Sequence, residues 1–77
     1  MAAVISARNL RVERKDDGTE KAFVTVEIQA YDGLIIFEVG VENRGTRNDV
    51  LEAIRERLAL LFQSAYQALS QAPLEYR

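Results

Sequence analysis

Hydrophobic periodicity switches once along this chain, from two residues to 3.6, near residue 46, and no other feature narrows the fold so far. Residues 4–14, 20–31 and 34–42 are rich in Val, Ile, Phe and Tyr alternating with polar residues, and turn residues separate them. That is the signature of strands. Beyond Thr46 the apolar residues recur at three and four. Val50, Leu51, Ile54, Leu58, Leu61, Phe62, Ala65, Ala68 and Leu69 share a stripe about 120° wide on a helix. The expected fold is α+β, a three-stranded antiparallel meander packed on one long C-terminal helix (β-β-β-α). It spans residues 1–77 as a single domain, with the helix over about 47–71 and a short tail at 73–77. Thr46, with Asp49 three residues on, reads as the N-cap with a capping box, and Asn48 is the alternative cap. Ala72-Pro73 ends the helix.

Alternation assigns faces to the strands. Val4, Leu10 and Val12 on the first, Val24, Val26 and Ile28 on the second, and Ile35, Phe37, Val39 and Val41 on the third are expected to face the helix. Asp16-Asp17-Gly18 fits a three-residue loop with glycine in the left-handed region. It sets Val12 opposite Ala22 and Leu10 opposite Val24, with Arg14 facing Glu20 and Glu13 facing Lys21 as opposite-charge pairs. Arg8 then falls on the core face, which predicts either a snorkelling side chain or a bulge. Asp32-Gly33 reads as a two-residue type I′ turn, placing Tyr31 opposite Leu34, Ile28 opposite Phe37, Val26 opposite Val39 and Val24 opposite Val41.

Composition narrows function mainly by what is missing. The 77 residues contain no Cys and no His, so no disulfide, no thiolate nucleophile and no Ser-His or Cys-His arrangement is possible within the chain. No cofactor is expected. Ten Lys plus Arg against twelve Asp plus Glu give a net charge of −2, whereas nucleic-acid binders carry a basic domain or stripe. No apolar run of 18 residues and no charged leader followed by an apolar stretch occurs, so no membrane segment and a cytoplasmic location are expected. A domain this small buries only about 60% of its unfolded surface, and association with another chain is the supplement left to it.

Surplus apolar residues point the same way. A helix over 47–70 is about 36 Å long and a nine-residue strand about 30 Å, so the last helical turns should overhang the sheet with Tyr66 and Leu69, and Leu60 on a flank. On the outer sheet face the expected register aligns Ile5, Gln29 and Ile36 beside Tyr31 and Leu34, with Phe23 farther along. Ile5, Phe23, Tyr31, Ile36, Leu60, Tyr66 and Leu69 are therefore the candidate partner interface, and a homo-oligomer, dimer or higher, is the expected state. Edge-to-edge joining of sheets is a further geometry, which Arg8, Arg11 and Arg14 oppose.

Three constellations bear on chemistry. Glu27 is expected directly opposite Glu38, and two close carboxylates can hold a cation or share a proton, although no third ligand accompanies them. Arg44 and Arg47 flank the helix N-terminus, a place suited to anions, but with a single glycine, Gly45, the segment has no P-loop or dinucleotide pattern. Arg11 joins them as a candidate polar contact. Arg8, Arg11, Arg14 and Lys15 cluster on the first strand, yet Glu13, Asp16, Asp17 and Glu20 surround them. A meander followed by a helix is similar in outline to small nucleic-acid-binding domains, a likeness of fold alone. The leading expectation is a non-catalytic, self-associating protein-interaction module. A nucleic-acid-binding dimer and a carboxylate enzyme or cation site at Glu27 and Glu38 are the alternatives.

Overall fold

The computed structural model describes residues 2–77. Its elements are β1 (Val4–Arg14), β2 (Glu20–Ala30), β3 (Gly33–Glu42) and α1 (Arg47–Gln71). The three strands form one antiparallel sheet in the order β1-β2-β3, and the helix lies on one face. This is the expected β-β-β-α meander.

The first hairpin has the register that its turn chemistry predicts. Val12 pairs with Ala22, Glu13 with Lys21 and Arg14 with Glu20, and Gly18 takes a left-handed φ of 87°. Farther along β1 the register slips between Arg8 and Arg11, where Asn9 has a φ of 59°. This is a bulge, with Asn9 and Leu10 together spanning the position opposite Val24, and asparagine tolerates left-handed backbone better than most residues. The bulge resolves the misfit of Arg8, which now pairs with Thr25 on the outer face. It also reverses every face before it: Ile5 and Ala7 turn to the helix side, opposite Ile28 and Val26, whereas Val4, opposite Gln29, turns outward. The expected faces of Val4 and Ile5 are thereby exchanged.

The second hairpin differs by two residues from expectation. Tyr31 and Asp32 are the central turn residues, with φ of 53° and 62°, and Ala30 pairs with Gly33. A two-residue change keeps all faces but alters all partners. Ile28 meets Ile35, Val26 meets Phe37, Val24 meets Val39, and Glu27 meets Ile36 instead of Glu38. Two gains accompany the left-handed tyrosine. The like-charged Glu27 and Glu38 are no longer opposed, and Phe23 lies across from Gly40, where a Cβ would come within 2.6 Å of its ring.

Thr46 caps α1. Its hydroxyl accepts from the Asp49 backbone N–H (3.3 Å), and the Asp49 carboxylate accepts from the Thr46 N–H (2.8 Å), completing the capping box. The core consists of Ala22, Val24, Val26, Val39, Val41, Val50, Ile54 and Leu58, with Ile28, Phe37, Leu51, Ala53 and Phe62 packed around it. Phe37 and Phe62 meet edge to face, centroids 6.4 Å apart, a contact worth about 0.5–1.5 kcal/mol beyond burial. No residue of β1 belongs to this core, and all eleven are exposed. The helix runs over β2 and β3, so the apolar side of β1, expected beneath it, is bare.

Candidate interaction surface

Two apolar surfaces without a cover result from this packing. The first is the helix-facing side of β1. Ile5 is 52% and Val12 48% exposed, with Leu10 between them. Ile5, Ala7 and Val26 form the floor of a groove of about 480 Å³ whose wall is α1 through Leu51, Leu58 and Phe62. Among the described residues Arg55 is the one charged residue on its lining, and its guanidinium is paired with Glu52 at 3.1 Å.

The second surface is the far half of α1. After Leu58 no helical residue is fully buried and only Phe62 is partly so, as the length comparison between helix and strand anticipates. The apolar stripe nevertheless continues through Leu61, Ala65, Ala68 and Leu69, and Leu69 is 64% exposed. Composition changes at the same point. Residues 47–57 hold Arg47, Asp49, Glu52, Arg55, Glu56 and Arg57, whereas residues 58–71 carry no charge. Helices that face water on all sides are normally charged on the exposed surface.

The candidate interface residues are divided between these surfaces and others. Leu69 and Tyr66 lie on the overhang, Leu60 on its outer side, and Ile5 in the groove, on the opposite sheet face from the expected one. Ile36 remains on the outer face and Tyr31 in the β2–β3 turn, both exposed. Phe23 is half-buried because its ring fills the gap over Gly40 and carries the Arg11 guanidinium 4.6 Å from its centroid, a cation–π contact. Groove residues that the candidate interface omits include Ala7, Leu51 and Phe62. Leu51 and Phe62 belong to the stripe expected to face the sheet, and Ala7 is brought to the helix side by the bulge in β1.

Toward the middle of the sheet the outer face carries paired charges. Arg11 is held by Glu38 through both terminal guanidinium nitrogens and by Glu13 at 3.1 Å, while Arg8 approaches Glu27 at 3.6 Å. The hydrogen bonds from Arg11 hold the Glu38 carboxyl below its usual range and make the guanidinium itself more basic. Glu27 and Glu38 therefore do not form the directly opposed carboxylate pair expected from the sequence; each has its own arginine. Arg44 sits in the β3–α1 connector, paired with Glu42 at 2.7 Å, and Arg47 is the first residue of α1. Arg11 lies on β1, so the three candidate arginines belong to two separate places. At the helix N-terminus the anion position is filled by Asp49, whose carboxyl is held below its usual range by the Thr46 N–H and hydroxyl. Among the described residues no helix is long and apolar enough to cross a membrane. Comparison with protein families, curated proteins and solved structures finds no match for this chain.

Proposed function

We propose that this protein is a self-associating interaction module, with a binding rather than a catalytic role, whose working form contains more than one copy of the chain. The observation that carries the reading is surface area. The chain exposes 6488 Å², against about 4,700 Å² for a compact monomer of 8.7 kDa. Its radius of gyration is 14.8 Å, where 77 residues packed as a globule give about 11.5 Å. The surplus of roughly 1,800 Å² is more than twice the ~800 Å² that one partner gives up in a standard interface. It therefore leaves room for the extended tail 73–77. Much of its apolar part lies on β1 and the far half of α1, two surfaces that the chain's own core does not cover, and the rest includes Tyr31, Leu34, Ile35 and Ile36 around the β2–β3 turn. On the outer face the carboxylates are held by arginines, and a glutamate kept ionised, as Glu38 is, suits structure better than proton transfer.

Light scattering across protein concentration tests the reading. The expected result is a mass of two or more chains at micromolar concentration, insensitive to salt because the contact is apolar. A single-chain mass at every concentration overturns it.

A further inference from the structure

Resting on that reading, we infer that the occupant of the β1–α1 groove is the far half of α1 from a second copy, and that two chains exchange these halves reciprocally about a two-fold axis. Groove and overhang are complementary in character: the one is apolar, lined by a single charge that its own helix neutralises, and the other is a charge-free helical stripe. They are also set apart within a chain. Leu51 lines the groove, whereas Leu69 lies about 27 Å farther along the same helix. No chain can fill its own groove with its own overhang.

A two-fold axis makes one contact serve twice. Laid antiparallel beside the first helix and over β1, the second helix brings Leu61 to the level of Ala59 and Ala7. Leu69 then reaches the level of Leu51, near Val12. Ala59 and Ala65 are the small residues that permit two helices to approach within the usual 8–10 Å. Each three-stranded sheet is then covered by two helices, its own over β2 and β3 and the partner's over β1. The surplus area allows for this, since exchanged contacts of obligate dimers bury from about 2,000 Å² upward in total.

The absence of native cysteine permits a clean test in the full chain. Val12→Cys and Leu69→Cys chains are refolded separately and as a mixture, then mildly oxidised, with the mass followed by light scattering before oxidation. The expected result is a covalent dimer from the mixture containing one chain of each kind, and little from either variant alone. A non-covalent dimer that yields no mixed disulfide overturns this arrangement while leaving self-association standing. Cross-linking of Leu69→Cys to itself alone overturns it in favour of helix tips meeting. A monomer overturns both this inference and the reading beneath it. As an independent measure, Leu69→Arg, outside the core, should raise the dimer dissociation constant by at least about tenfold with the far-ultraviolet spectrum of the sheet retained; an unchanged constant counts against the exchange.

Discussion

Asn9 shows how one backbone angle decides which side chains of β1 lie on the helix side of the sheet and which on the outer face. With its φ of 59° it creates the bulge that sends Arg8 to Glu27 and Ile5 to the helix side. Replacing it by a β-branched residue imposes the left-handed penalty of about 1–2 kcal/mol, whereas glycine carries none. Asn9→Val should therefore lower stability by that amount in denaturant unfolding, and Asn9→Gly should stay within a few tenths of a kcal/mol of the parent. Equal effects from the two would show that the bulge does not depend on the angle. The helix cap is the second residue that acts beyond itself. Thr46→Ala removes the acceptor of the Asp49 N–H and is expected to cost about 1 kcal/mol. Asp49 adds a pH dependence whose sign follows from its lowered pKa. The stabilisation is fully present above the ordinary aspartate value, about 3.9, and is lost as pH falls through the lowered one. Asp49→Asn should flatten the acid limb of the unfolding curve; a limb of unchanged slope would assign it to other carboxylates, such as Asp17 bonded to Thr19 or Glu38 bonded to Arg11.

At the scale of elements, α1 is one helix with two environments. Val50, Ile54 and Leu58 are clamped on β2 and β3, while residues 63–71 touch nothing that buries them. Helical propensity alone holds a short overhang only marginally. Amide exchange should therefore be slow over 51–60 at all concentrations, and slow over 63–71 only where chains are associated. Protection of 63–71 in a dilute monomer would mean that the overhang needs no partner. Much of this organisation is legible from residues. The alternation in the strands, Gly18 in the first loop, Thr46 and Pro73 at the helix ends, and the misfit of Arg8 all point to what is found. Asp32-Gly33 is misleading, because turn preference is a local quantity and the register is settled by the strands' contacts. Glu27 facing Glu38 was the internal sign of the wrong register, and Gly40, the only residue that leaves room for the Phe23 ring, was the sign of the right one. The bare β1 is not legible from periodicity, since alternation reports which side of a sheet is apolar and not how far across it a single helix sits.

For the whole molecule, the mismatch between mass and extent makes a prediction about shape. One chain measures 42 × 26 × 21 Å, elongated because α1 runs past the sheet. If two chains exchange overhangs side by side, the combined particle is globular where each chain alone is not. A compact body of twice the residues has a radius of gyration of about 15 Å, almost that of the isolated chain at 14.8 Å. Small-angle scattering should thus report a doubled forward intensity per chain with a radius within about 15–18 Å. Association through helix tips alone would set the two long bodies end to end and raise the radius far beyond that range. Stability should follow association by mass action, because a partner that binds the folded chain and not the unfolded one raises the melting temperature with concentration. A tenfold rise in protein concentration that leaves the melting temperature unchanged would mean that folding and association are not coupled. The small core of β2, β3 and the first half of α1 would then have to sustain the fold alone.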